Sequence, residues 1–221
     1  GVGIVSVVYD LIPLTHPQFC DAGLVRVFSD WFDWITKTAD GYVAISETIR
    51  DQVHDEMLRR VGPTQVAQRW FDYFHLGSEL DLCDDSTPVD PALKQMFKSK
   101  DPVFLMVSTI EPRKNHAFLL DVWARLPTPA PRLYIVGNRG WAEAALLARL
   151  DALPVDGPVR VLHGLPDGAV AALVAQARAL LAPSLAEGFG LPPVEAASLG
   201  TPVIATDLAV TRELLGNKAV Y

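Results

Sequence analysis

Hydrophobic and polar positions follow two rhythms along the 221 residues. Short apolar runs recur in the second half: Val103-Phe104-Leu105-Met106-Val107, Leu133-Tyr134-Ile135-Val136, Ala179-Leu180-Leu181-Ala182 and a run starting at Val203. Runs of this length between polar boundaries predict strands buried on both faces, and Val159 to Leu162 reads as a further extended segment. Between them the apolar spacing lengthens to the helical period, predicting helices from His116 to Leu126, from Trp141 to Leu150 and from Asp167 to Ala177. Asp167 is the expected N-cap of the last of these. Pro192 and Pro193 open another helix, since a first helical turn has no use for the N–H that proline lacks. Strands and helices in alternation indicate an α/β fold with a parallel, doubly wound sheet.

The first ninety residues carry the same rhythms. Phe28, Trp31, Phe32 and Ile35 make an apolar stripe at helical spacing. Core packing is its first reading, and a surface facing a membrane or lipid acceptor the second. Ala39 to Ile45 reads as a strand ending on Ser46 as an N-cap. Leu80 to Asp101 is polar and punctuated by Pro88 and Pro91, as suits a linker. Two domains are therefore expected, residues 1–90 and residues 91–221.

Composition narrows the function classes. Half of the residues are hydrophobic, enough for a substantial core. A formal charge of -7 speaks against a nucleic-acid binder, whose footprint is basic. The two cysteines, Cys20 and Cys83, offer neither a metal nor a disulfide framework and read as reduced thiols. No apolar run is long enough to span a bilayer and no signal peptide is visible, so a cytoplasmic protein is expected. The start at Gly1, running straight into apolar Val5-Ser6-Val7-Val8, reads as entry in mid-domain.

Candidate chemistry sits in the loops that end two of the strands. After Ala182 come Glu187-Gly188-Phe189-Gly190-Leu191-Pro192, then a helix that carries Glu195. Backbone N–H groups at a helix N-terminus, preceded by glycines, make an anion site. Acids on either side suit a ligand that is both phosphorylated and rich in hydroxyls, as a nucleotide-sugar is. After Val107 come Glu111-Pro112-Arg113-Lys114-Asn115, where two adjacent cations suit a diphosphate.

These motifs, continuing into Gly200-Thr201-Pro202-Val203-Ile204-Ala205, resemble those of retaining glycosyltransferases of the GT-B fold, family-4 type. Glu187 and Glu195 take the places of that family's E-x7-E signature. The resemblance implies two Rossmann-like domains with parallel doubly wound sheets, the first represented by its second half and the second lacking a final crossover helix. It assigns Glu187, Arg113 and Lys114 to catalysis, and Glu195, Gly188, Phe189, Gly190, Leu191 and Leu162 to the donor. Leu162 opens Leu162-His163-Gly164-Leu165-Pro166, where relatives meet the nucleotide base, and Gly137-Asn138-Arg139-Gly140 resembles their glycine turn. Val8-Tyr9-Asp10 resembles the family's strand end facing the donor. Tyr9 stands where histidine is common, so only Asp10 is carried over. His16 and His54 read as surface residues.

The reaction the resemblance implies is retaining transfer of a hexose, mannose as the best guess, from a nucleoside diphosphate sugar such as GDP-mannose. The acceptor would be a hydroxyl of a glycan or lipid-linked glycan in bacterial surface-polysaccharide (lipopolysaccharide) assembly, with peripheral membrane association. No two aspartates stand one residue apart, so the D-x-D metal site of the other major glycosyltransferase fold is absent and no catalytic metal or cofactor is expected. The alternatives are a silent GT-B nucleotide- or glycan-binding module and a truncated, inactive fragment.

Overall fold

The computed structural model describes residues 3–78 and 101–221. The linker expected over 80–101 and Cys83 lie, but for Asp101, outside the described residues. Two compact units are present. The first comprises Gly1–Gly77 with Ala186–Gly190 and Leu208–Leu214, and the second Ser78–Leu185, Leu191–Asp207 and Leu215–Tyr221.

In the first unit, β1 (Val5–Val8), β2 (Gly41–Ala44) and β3 (Trp70–Tyr73) form a parallel sheet in the order β1-β2-β3. Helix α1 (Ile12–Thr15) follows β1, α2 (Ala22–Thr38) leads to β2, and α3 (Glu47–Val66) leads to β3. Asp21 caps α2, its carboxylate accepting from the N–H groups of Gly23 and Leu24. Ser46 caps α3 as expected, accepting from the Ile49 N–H. The stripe on α2 is core on one side: Phe32 and Ile35 are buried with Tyr42, Ile49 and Met57, and Phe28 and Trp31 pack at the margin. Burying a side chain such as Phe32 contributes about 1.5–3 kcal/mol. The Tyr42 hydroxyl reaches back to the Ile35 carbonyl at 2.8 Å, which satisfies it inside that core.

The second unit holds β4 (Val103–Val107), β5 (Arg132–Val136), β6 (Val159–Leu162), β7 (Ala179–Ala182), β8 (Val203–Ala205) and β9 (Ala219–Val220). All pair in parallel, in the order β6-β5-β4-β7-β8-β9. The unbroken apolar runs are explained by two cores. Tyr134 and Val136 enter one with Leu105, Leu173 and Leu180, while Leu133 and Ile135 enter the other with Met106, Leu120 and Trp123. Successive strand residues point to opposite faces, so a strand covered on both sides must be apolar throughout.

Helices α4 (His116–Arg125), α5 (Ala144–Asp151), α6 (Asp167–Gln176), α7 (Leu191–Ser198) and α8 (Ala209–Leu215) complete the described elements. Two expectations need correction. Asp167 is the first residue of α6, and the cap position is Pro166, which makes no side-chain bond. The carboxylate still lies in the first turn, where it favours the helix dipole. Helix α5 starts three residues later than Trp141, because Glu143 is extended and Arg139 is still bridged to Ile110. Among the described residues, no helix is long and apolar enough to cross a membrane.

Candidate functional site

The strand order fixes where the second unit can hold a ligand. From β4 the chain builds outward through β5 to β6, then returns to the other side of β4 for β7, β8 and β9. Between β4 and β7 the winding reverses, and loops leaving the carboxyl ends of two such strands part to leave a crevice. The loop after β4 is Ser108 to Asn115. The loop after β7 starts at Pro183. The loop of Arg113 and Lys114 and the loop that starts at Pro183 thus leave the sheet at one switch point.

They are also tied together there. The Leu185 N–H donates to the Arg113 carbonyl at 2.7 Å. The Asn115 side-chain amide donates to the Pro183 carbonyl at 3.2 Å. Asn115 can do so because it sits in the left-handed region, φ 59°, where asparagine is tolerated. It ends a single 3-10 turn, Pro112–Lys114, and turns the chain into α4.

Arg113 is held by charge. One guanidinium N–H group lies 2.7 Å from Oε1 of Glu111, a carboxylate only 3% exposed. The sequence reading gave Glu111 no role. Its signal was there to use, since a carboxylate two residues before an arginine in a strand-end loop is placed to orient it. Lys114 is half-buried next to it. His116 is fully buried, with Nε2 3.2 Å from the Ser108 hydroxyl. Burial, with repulsion from Lys114, lowers its pKa from 6.5 to about 4, so it is neutral at physiological pH.

Glu195 lies in α7, half-buried, and its carboxyl is shifted upward by burial and by the charge of Asp167. Leu191 is the exposed first residue of the same helix. Leu162 ends β6 on the wall of a cavity of about 380 Å³ that Ile110, Arg139, Asp151, Arg160 and His163 also line. His163 is a loop residue as expected: its Nδ1 faces the Gly137 carbonyl at 2.5 Å, which holds the glycine turn against the end of β6.

Glu187, Gly188, Phe189 and Gly190 belong to the first unit, together with Asp10. Gly188 is pressed on Tyr9 and Asp10: a Cβ there would lie 2.6 Å from the Tyr9 carbonyl oxygen. Gly190 has φ 89°, a conformation that side chains resist. Space requires glycine at 188, and torsion favours it at 190. Glu187 is half-buried, and the Phe189 ring is buried beside His75. The Asp10 carboxylate accepts from the Ile12 N–H at 2.9 Å, the turn that starts α1. Among the described residues, no group of three or more His, Cys, Asp or Glu is arranged to hold a metal.

Known proteins resemble this chain in sequence and in fold. The serotype-specific mannosyltransferase WbdA of Escherichia coli is 32% identical over 225 residues, covering 97% of this chain and 27% of that protein. The O-antigen chain mannosyltransferase B of Escherichia coli is 36% identical over 130 residues, covering 58% of this chain and 34% of that protein. The chain thus spans roughly a quarter to a third of the length of these two relatives. Among solved structures, Anabaena Alr3699/HepE in complex with UDP and glucose superposes with a TM-score of 0.72 at 19% identity, over 99% of this chain and 57% of that one. Such neighbours are GT-B glycosyltransferases, and the fold here is theirs. The sequence profile described as glycosyl transferases group 1 matches residues 92–219, from before β4 to β9, and it is to this family that the chain belongs.

Proposed function

We propose that this chain is the portion of a retaining glycosyltransferase that carries the donor-binding domain. It would move a hexose, with mannose first among the choices, from a nucleoside diphosphate sugar to a hydroxyl of a glycan or lipid-linked glycan. The observation that carries the reading is the loop of Arg113 and Lys114 at the β4/β7 switch point, its arginine fixed by the buried Glu111 carboxylate. Mannose is preferred because the curated relatives named above are mannosyltransferases.

In this reading Arg113 and Lys114 bind the diphosphate, and the amides from Gly188 to Leu191 add to the same field. As the anomeric C–O bond breaks, negative charge develops on the diphosphate and positive charge on the sugar ring. Preorganised cations and N–H dipoles stabilise the first. Glu187 contacts the sugar and Glu195 the ribose hydroxyls. Leu162 borders the base. The acceptor oxygen attacks from the face the diphosphate leaves, and its proton passes to the departing phosphate oxygen, so configuration is retained with no covalent enzyme intermediate. The mechanism uses no resident metal. A lipid-linked acceptor would place the work in the cytoplasm, peripheral at the inner face of the membrane.

The test is made on the full-length protein with radiolabelled GDP-mannose, UDP-glucose and ADP-glucose and a glycan-lipid acceptor. Transfer from one of them is expected with retained anomeric configuration, unaffected by a chelator, and lost in Glu187→Ala with the fold intact. Undiminished turnover by Glu187→Ala would overturn the site assignment. Label released only as free sugar, or none at all, would favour a silent module.

A further inference from the structure

The first unit contains a linked set of side chains that the reaction above does not use. Glu213, on α8, presents its carboxylate to the start of α3. It accepts from the Glu47 N–H at 2.7 Å, the Thr48 N–H at 2.8 Å and the Thr48 hydroxyl at 2.6 Å. A fourth contact joins Oε1 to His75 Nε2 at 2.8 Å. Helix N-termini favour an anion, and this one is matched by a carboxylate donated from a distant part of the chain.

His75 is gripped at its nitrogen by Glu213, and its ring is set by aromatic neighbours. Tyr73 lies 5.5 Å away between ring centroids, and Phe189 lies 6.0 Å away in an edge-on arrangement. Phe189 stands between the two glycines of the Glu187-Gly188-Phe189-Gly190 loop and is 6% exposed. One residue earlier, the Ser46 hydroxyl points to the Gly188 carbonyl at 3.4 Å, while Gly188 rests against Tyr9 and Asp10. The loop is therefore seated on the carboxyl ends of all three strands of this sheet. At β1 and β2 the seat is made by backbone and a cap residue that the fold needs anyway. At β3 it is made by an imidazole whose orientation depends on Glu213.

We infer that His75 and Glu213 are positioning residues for the candidate site, holding Phe189 and through it the backbone that presents Glu187. The inference rests on the proposed transferase reading and adds to it the parts that fix the loop. His75 touches no reacting atom. It acts through Phe189, so removing it lowers turnover by letting Glu187 and the neighbouring amides wander from the geometry that a near-attack arrangement requires.

The experiment compares variants of the full-length enzyme by steady-state transfer from its nucleotide-sugar. His75→Ala should lower kcat by tenfold or more while acceptor KM stays within twofold. His75→Phe, which keeps a ring of similar size but no bond to Glu213, should recover part of the loss and serves if the alanine variant does not fold. His75→Gln, which can restore a donor near Glu213 but has no ring, should recover another part. The deciding measurement is the double variant with Phe189→Leu. If His75 works through Phe189, the two losses overlap and the double variant is little slower than the worse single one. Full additivity, or wild-type kcat in both His75→Ala and His75→Phe, overturns the inference. Glu187→Ala run in parallel keeps the two claims apart. If it is inactive while the His75 variants are normal, only the positioning role fails. If it turns over normally, the transferase site itself is misassigned.

Discussion

The loop after β4 and the loop after β7 hold the candidate groups by different forces. In the first, Glu111 is buried against Arg113, and a left-handed asparagine turns the chain into α4. Its geometry is set by charge and hydrogen bonds. In the second, Gly188 and Gly190 sit where a side chain would collide or strain, and Phe189 is buried beside His75. Its geometry is set by space and torsion. In the proposed reading the first loop presents cations to a diphosphate, and a counter-charge keeps those cations ordered when no ligand is present. A loop that presents amides needs its backbone close to other atoms, which only glycine permits. The two should therefore fail under different substitutions.

The largest effect is expected where charge does the holding. Arg113→Ala leaves the Glu111 carboxylate buried without its partner, which costs on the order of 3–5 kcal/mol, besides abolishing donor binding. Glu111→Gln added to Arg113→Ala should recover much of the stability and none of the binding. Chemical denaturation and nucleotide titration of the same samples read the two quantities separately. Equal stability of the single and double variants would mean that Glu111 is not held by that ion pair.

Next in size is a pH effect at His116, the residue that follows the same loop. His116 has a folded pKa of about 4 against 6.5 for the free side chain, so the unfolded chain takes up a proton that the fold refuses. Stability should be complete above pH 6.5, fall as pH drops from 6.5 to about 4, and then level off. At about 1.4 kcal/mol per pH unit the loss approaches about 3 kcal/mol. His116→Gln should flatten that window. The Glu213 carboxyl behaves differently. Burial pushes its pKa up, but the hydrogen bonds from Thr48, His75 and the Glu47 N–H outweigh it and leave the pKa below 4.5. Its contribution is present above pH 4.5 and is lost only as pH falls through the lowered value. A denaturation series from pH 7 to pH 3.5 separates the two groups, and a slope between 6.5 and 5 that survives in His116→Gln would remove His116 from the account.

How much of this could be read from the residues differs between the loops in the same way. Strands β4, β5 and β7 were legible because both faces are buried, and a run such as Leu133 to Val136 has no other ready explanation. Arg113, Lys114 and Glu187 stand out as candidates because charge in a loop leaving a strand end is a local signal, and Glu195 stands out by its place one turn into the helix that follows. The partners were not. Nothing in the spacing joins Glu213 to Thr48 or His75 to Phe189, since those contacts span more than one hundred residues and arise only when 186–190 and 208–214 pack with the first unit. Asp167 was misplaced by one position for a simpler reason. Aspartate suits both the cap and the first turn, and Pro166, with its fixed φ, took the extended position ahead of it.

The smallest effect, and the finest test of the contrast, lies in the two glycines. Gly188→Ala puts a methyl group 2.6 Å from the Tyr9 carbonyl oxygen, so the backbone must move, at a cost of about 1–3 kcal/mol for overpacking a close contact. Gly190→Ala meets torsional strain instead, about 1–2 kcal/mol for holding an alanine at positive φ. The stabilities are similar, but the consequences for the loop should not be. At Gly188 the clash is with the end of β1, so relief lifts the amides and Glu187 off their seat. At Gly190 the strain is one of torsion at the residue just before α7. Turnover of the full-length enzyme should therefore fall further in Gly188→Ala, by tenfold or more relative to Gly190→Ala, at comparable melting temperatures. A matching loss in the two would mean that torsion alone shapes the loop, and the contact with Tyr9 would then be a consequence of its shape rather than a cause.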